Sequence, residues 1–316
     1  MIRFSSLGDV ILASTVLDPL YEKGFKVDFL TFKPFDELYR YDYRINKILA
    51  LEKTQLKSIK QIYKFATELK KENYDYILDL HSNLRSFLIS RFSRIKTVRY
   101  KKEGIKRRLG ILNPQFNVVK AYLETLKKFD IKNLDRYRPR LILKDEEIKE
   151  VKPLVPKEFV VIGTGARYKN KIYPFYPQVA QLLLQKNLNV VLIGSKEDKE
   201  TYKDTYPPQV IDLRGKLSLR QSLAVISLAK LTISNDSAIA HMSRAVGVPV
   251  LVVYGATHPY LGFAPLEEEG AYIFKGLNCQ PCDLHGKGEC KRGDRACLTL
   301  ITPNEIVEKA VDMIKG

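Results

Sequence analysis

The sequence predicts an α/β protein made of two Rossmann-like, doubly wound domains facing a cleft, one over residues 1–152 and one over residues 153–316. Three observations support this. Apolar strand-like runs alternate with helical patterns, as parallel βαβ units require. The rhythm starts twice, and between the two runs lies the charged stretch Asp145 to Lys157 with Pro153 and Pro156, which reads as a domain boundary. In both halves small residues or glycines follow a strand, where open α/β sheets bind their ligands.

The elements follow in order. Met1 to Phe4 is a short apolar strand running into Ser5-Ser6-Leu7-Gly8-Asp9, and a helical pattern continues from Val10 to Tyr21. Val27 to Thr31 and Tyr76 to Leu80 read as strands around a helix over Ser58 to Glu72. In the second half Phe159 to Ile162, Asn189 to Ile193, Leu231 to Ser234 and Val248 to Tyr254 read as strands. Helices are expected near Pro177 to Lys186, Leu219 to Ala229, Ala238 to Val246 and Pro303 to Ile314, the last opened by a proline that suits a first helical turn.

Composition narrows the function classes. With 45% hydrophobic and 28% charged residues the chain is globular rather than disordered. No apolar run approaches the roughly 18 residues of a membrane span. The N-terminus shows no signal-peptide pattern, so a cytoplasmic location is expected. The net charge of +17 is uneven: residues 1–152 hold 33 Lys and Arg against 20 Asp and Glu, and the remainder 20 against 16. A basic half suits a polyanion such as nucleic acid, anionic lipid or a phosphorylated glycan, although Lys-rich helices are also ordinary solvated surface. From Arg85 to Arg108 ten cations face one acid, Glu103.

Four constellations could carry chemistry. Asp9, after the first strand, could take a proton from a hydroxyl, or it could cap the helix that follows. Gly163-Thr164-Gly165 followed by Arg167, Lys169 and Lys171 suits a pyrophosphate, although a surface loop has the same composition. Asp236 and Ser237 precede a helix on which Ser237 and His241 share a face, so this is either a phosphate site or a capped helix with a core histidine. Finally, Cys279, Cys282, Cys290 and Cys297 lie within 19 residues. Their clustering suits a structural zinc site, but the intervals match no standard finger, so disulfides and free thiols stay open.

Taken together these segments resemble the bacterial lipopolysaccharide heptosyltransferases, the inverting glycosyltransferase family 9. Ser5 to Asp9 is similar to the family's Ser-x-Gly-Asp loop, and Asp79-Leu80-His81-Ser82-Asn83-Leu84-Arg85-Ser86 to its second segment. Gly165-Ala166 with Lys171-Ile172-Tyr173-Pro174 resembles the glycine turn before a Lys-Arg-Trp-Pro-like element. Asn235 to His241, with Tyr254 to Thr257, resembles the Asp-Ser-Gly-x-x-His signature and its following loop. The likeness covers most of the chain, and many members carry a cysteine-rich C-terminal stretch.

The resemblance implies a GT-B fold, with ADP-heptose bound mainly by the C-terminal domain and an anionic lipopolysaccharide inner-core acceptor mainly by the N-terminal one. Asp9 becomes the general base and Lys171 the partner of the leaving pyrophosphate. Thr164, Gly165, Glu197, Asp236, Ser237, Ala238 and His241 are implied on the donor side. Ser6, Asn83, Arg85, Arg107 and Arg108 are implied on the acceptor side, at the inner-membrane surface. No cofactor is implied for catalysis. Two departures stand out: Ala238 replaces a usual glycine, and Ile172-Tyr173 replaces the common Arg-Trp, with Arg167 or Lys169 available to compensate. The competing readings are transfer of another nucleotide sugar in cell-surface glycan synthesis, and a zinc-stabilised nucleic-acid-binding protein. The second leaves the strand-end loops unexplained, so no nucleic-acid partner is expected.

Overall fold

The computed structural model describes residues 1–104, 111–201 and 205–315. Arg107 and Arg108 therefore lie outside the described residues. The chain divides into two compact units, Met1–Lys106 with Val118–Ile142, and Arg107–Asn117 with Leu143–Gly316.

In the first unit, strands β1 (Val27–Phe32) and β2 (Ile45–Leu51) pair in parallel, as do β3 (Tyr76–Asp79) and β4 (Lys96–Arg99). The N-terminus joins the two pairs. Ile2 bridges in parallel to Leu30 of β1 and to Asp79 of β3. Its amide donates to Leu78 at 2.8 Å, and that of Arg3 donates to Leu30 at 3.1 Å. Side chains alternate along this run, so Ile2 and Phe4 enter the core while Arg3 faces the other way. Phe4 stacks on Phe32 at 4.6 Å within a core that includes Ile62, Leu69, Ile77 and Ile89.

The helix Ile59–Lys71 shows how local sequence builds this layer. Ser58 and Gln61 close a reciprocal cap, Gln61 N to Ser58 Oγ at 3.2 Å and Ser58 N to Gln61 Oε1 at 2.9 Å. Ile62, Ala66 and Leu69 recur at helical spacing and are the buried face. The pattern expected from Val10 to Tyr21 is instead two short helices, Leu7–Leu12 and Leu17–Glu22, joined by the 3-10 turn Ala13–Val16. Pro19 suits the first turn of a new helix, where its missing N–H is not needed.

In the second unit six parallel strands run in the order β10-β9-β8-β5-β6-β7. They are β5 (Phe159–Gly163), β6 (Asn189–Ile193), β7 (Ile211–Asp212), β8 (Leu231–Asn235), β9 (Val250–Val253) and β10 (Gly270–Ile273). Val160, Val161 and Ile162 are all fully buried, as a continuous apolar run must be when both sheet faces are covered. Strand order reverses between β5 and β8, so their carboxyl ends form a topological switch point.

The segment expected to be a boundary is a helix. Asp145–Val151 is helical, followed by the 3-10 turn Lys152–Leu154, and Leu143 onward belongs to the second unit. Its three acidic residues, read as linker charge, occupy the first turn, where they favour the helix dipole. Glu147 also accepts from Arg220 Nε at 2.7 Å, tying this helix to the helix Leu219–Ser227. The division thus falls at residues 142 and 143 rather than at 152. No helix among the described residues is long and apolar enough to cross a membrane.

Candidate functional site

The strand expected over Met1 to Phe4 is an extended run with a single bridged residue, Ile2, and the loop after it holds a carboxylate between a cation and a hydroxyl. Arg3 Nη2 lies 2.7 Å from Asp9 Oδ1, and Ser6 Oγ donates to Asp9 Oδ2 at 2.7 Å. Ser6 is the N-cap of Leu7–Leu12 and Asp9 its third residue. Asp9 therefore does close a cap, while 19% of its side chain stays exposed. Arg3 is sunk beneath it and also donates to the Leu80 carbonyl at 2.7 Å. Burial opposes the charge of Arg3, but Asp9 outweighs that effect and raises its pKa.

The second segment is organised by Asp79. This buried carboxylate accepts from the His81 and Ser82 amides, the Ser86 hydroxyl and Arg99 Nε at 2.8–3.0 Å. Asn83 and Arg85, both expected on the acceptor side, have structural partners. Asn83 caps the helix Leu84–Ser93 by accepting from Ser86 N at 3.0 Å. Arg85 donates to the Leu56 carbonyl at 2.9 Å and covers the Phe32 ring at 5.5 Å. The residue the sequence reading did not single out is His81. It is buried edge-on against Phe4, and its Nδ1 has no hydrogen-bond partner among the described residues. Burial, aided by the charges of Arg3 and Lys102, lowers its pKa to about 3 and keeps the imidazole neutral.

In the second unit the switch point gathers Lys171, Asp236 and Thr257. Lys171 Nζ lies 2.7 Å from Asp236 Oδ2, which also accepts from Thr257 Oγ1 at 2.8 Å. Burial pushes against the Asp236 charge, but the Lys171 ammonium outweighs it, with help from His241 and Thr257, and holds the carboxyl below its usual range. Ser237 is the N-cap of the helix Ala238–Ala245, but its hydroxyl turns 3.1 Å toward that of Ser234 rather than capping the helix. Ser237 and Ala238 are half-exposed at this helix start, whose backbone amides favour an anion. His241 is buried one turn further on.

Asn235 locks the two loops together, a role absent from the expected site. Its Nδ2 reaches the Thr164 and Gly165 carbonyls at 3.0 and 3.3 Å, while its Oδ1 accepts from the Tyr173 amide at 2.9 Å. Tyr173 provides the aromatic packing, buried with its hydroxyl donating to the Ile301 carbonyl at 2.8 Å. Arg167 and Lys169 are exposed, and Arg167 lies over the Tyr168 ring at 5.4 Å. Thr164 is buried beside Gly165.

Glu197 is exposed in the first turn of Lys196–Thr201, and its neighbour Asp198 turns back toward the glycine turn. Asp198 accepts from Ser195 N at 2.7 Å and lies against Gly165, where a Cβ would meet its carboxylate at 2.2 Å. Any side chain there would displace the Asp198 carboxylate. A helix N-cap signal, Ser195 followed three residues later by Asp198, was available to find it.

The cysteine-rich stretch walls this site. Cys282 N donates to the Ala256 carbonyl at 2.8 Å, and Gly286, at φ +72°, lets the loop press on the stem of Lys171. A Cβ at Gly286 would meet Lys171 Cγ at 2.7 Å. All four cysteines are free thiols, and burial followed by its cysteine neighbours pushes Cys297 up to about 11. Among the described residues no three His, Cys, Asp or Glu side chains form a group that could hold a metal ion.

The model of glycosyltransferase family 9 (heptosyltransferase) matches residues 62–290. Lipopolysaccharide heptosyltransferase 1 of Campylobacter coli is 24% identical over 290 residues, covering 82% of this chain and 84% of that one. Among solved structures, the family 9 glycosyl transferase of Veillonella parvula superposes with a TM-score of 0.81 at 17% identity, over 99% of this chain and 96% of that one. The Escherichia coli ADP-heptose lipopolysaccharide heptosyltransferase II gives 0.73 at 20% identity, over 99% and 97%.

Proposed function

The chain belongs to glycosyltransferase family 9, and on that premise we propose that it moves heptose from ADP-heptose to an anionic lipopolysaccharide inner-core acceptor with inversion. The observation that carries this reading is the Lys171–Asp236–Thr257 cluster at the switch point, beside a helix start whose N-cap side chain leaves the backbone amides to a ligand. An anionic pyrophosphate suits that field. Asp236 holds Lys171 in place, and the ammonium meets the charge that develops as ADP departs.

In this reading the first unit binds the acceptor. Asp9 accepts the proton of the attacking hydroxyl, the hydroxyl oxygen bonds to the anomeric carbon, and the bond from that carbon to the β-phosphate oxygen breaks, its electron pair leaving with ADP. Ser6 and Arg3 keep the carboxylate aimed. Lysine and helix amides supply the positive field, so the step as drawn asks for no cofactor.

The proposal extends to place: the enzyme works in the cytoplasm, peripherally on the inner-membrane surface. Leu84, Phe87 and Arg91 recur at helical spacing on one exposed face, with Leu84 72% and Phe87 47% exposed. The Arg99 guanidinium covers Phe87 at 5.2 Å, and exposed Arg94 and Lys96 follow. Apolar side chains rimmed by cations suit an anionic lipid surface.

The test is ADP release from ADP-heptose with a lipopolysaccharide-core acceptor, in competition with UDP- and GDP-sugars. Acceptor-dependent release that only the ADP-sugar supports is expected. Turnover with a UDP- or GDP-sugar alone would transfer the proposal to another nucleotide sugar.

A further inference from the structure

In the first unit the order across the sheet is β2, β1, the N-terminal run, β3, β4. The chain leaves the N-terminal run for β1 on one side and reaches β3 on the other. The carboxyl ends of that run and of β3 therefore flank the switch point of this unit, where an open α/β sheet binds its ligand. The first end leads into Asp9 and the second into His81. Arg3 joins them, donating to the Leu80 carbonyl and pairing with Asp9.

His81 is fixed everywhere except at its ring nitrogens. Its amide and that of Ser82 donate to Asp79 Oδ1 at 3.0 and 2.8 Å. The Ser82 hydroxyl donates to the Tyr100 carbonyl at 2.7 Å and pins the turn that follows. The ring stands edge-on to Phe4 at 5.0 Å. Among the described residues no hydrogen bond engages the imidazole, and Nδ1 is sealed from solvent. The residue is only 8% exposed, so a polar ring is held out of water with nothing to bond. Such a group weakens the fold unless a ligand completes it.

We propose that His81 hydrogen-bonds a hydroxyl of the acceptor sugar through Nε2, Nδ1 being sealed from solvent, and so selects the sugar presented to Asp9. This rests on the acceptor-side reading above. Burial, then the charges of Arg3 and Lys102, outweigh Asp79 and Asp9 and lower the pKa of the ring to about 3. A neutral imidazole brings no charge to a carboxylate or phosphate. Its fitting partner is a hydroxyl, which can donate or accept as the ring requires.

His81→Phe keeps a ring against Phe4 and deletes both nitrogens, whereas His81→Gln keeps a neutral donor and acceptor. Steady-state kinetics with a delipidated lipopolysaccharide-core acceptor are set beside urea unfolding. In His81→Phe the acceptor KM should rise about fivefold, the worth of one neutral hydrogen bond, with kcat and the ADP-heptose KM within about twofold of wild type. Its unfolding midpoint should hold or rise, because an unbonded polar group has left the interior. His81→Leu removes the nitrogens without added bulk and should match it, and His81→Gln should recover most of the acceptor KM. Among deoxy analogues of the acceptor sugar, the one lacking the partnered hydroxyl should give wild type and His81→Phe the same KM. A wild-type acceptor KM in the Phe and Leu variants, or a loss shared with the donor KM, would overturn the proposal. A raised KM that no deoxy analogue reproduces in wild type would overturn it too. Wild type without acceptor-dependent turnover would strike down the functional reading itself, and this assignment with it.

Discussion

Each unit places a carboxylate–cation pair at the carboxyl end of its sheet, and each sets a buried histidine beside it. The pairs have the same N–O distance, 2.7 Å, but opposite polarity of use. In the first unit the arginine is sunk, 6% exposed, and the carboxylate is the outward partner at 19%. In the second, lysine and aspartate are level at 15% and 14%, and the aspartate also takes Thr257, leaving the ammonium as the group with protons to offer. Arg3 holds a carboxylate in place, and Asp236 holds a cation. Burial of one partner decides which charge remains available for chemistry, so one motif serves a proton acceptor in one unit and an anion clamp in the other. The histidines differ likewise. His81 leaves Nδ1 without a partner among the described residues, whereas Nδ1 of His241 meets Arg244.

The comparison breaks most easily at the outward groups. Asp9→Asn should lower acceptor-dependent turnover by about 10²–10⁴-fold with donor affinity intact. Lys171→Met should lower kcat about 10²–10³-fold and weaken ADP binding as well. Steady-state kinetics beside ADP titration check both, and equal losses of donor affinity in the two variants would erase the distinction.

A smaller effect sharpens the contrast between the histidines. The folded pKa of His81 is depressed from 6.5 to about 3, so between those values the unfolded chain binds a proton that the folded one does not. Stability tied to this group is therefore intact above pH 6.5 and declines as pH falls toward 3, by roughly 3 kcal/mol at about pH 4. His81→Asn should flatten that acid limb in urea unfolding followed against pH. An unchanged limb would mean that His81 is not buried as a neutral ring.

The smallest effect concerns the outer face of the first unit. Leu84→Glu/Phe87→Glu should reduce sedimentation with anionic vesicles about tenfold or more, given ~1.5–3 kcal/mol for each apolar side chain removed from water. Turnover of a delipidated acceptor should stay unchanged. Undiminished vesicle binding would reject this face.

Much of the architecture could be read in advance because its signals are local. The apolar runs of β5, β6 and β9 are each a continuous stretch of the kind a doubly covered parallel strand requires, and the cap at Ser58 marks the start of its helix. Strand β2 was missed because its residues are half-exposed or exposed and alternate poorly. Strand β10, opened by Gly270, is too short to stand out. The boundary was misplaced because charge and proline look the same in a linker as in the first turn and the stop of a helix.

For the site, sequence alone determined the loops and their chemical types: a carboxylate after the first strand, a lysine after the glycine turn, and a histidine one turn into a helix. These follow from spacing along the chain, which local geometry converts into position. Only the tertiary structure decided the partners. Asn235 reaching Thr164 and Gly165, Asp198 closing on Gly165, Glu269 clamping Arg244, and the cysteine loop pressing on Lys171 all join residues from different strand ends or loops. Such pairings are set by the order in which strands lie side by side, β8 against β5 and β9 against β8, and that order is a property of the packed sheet.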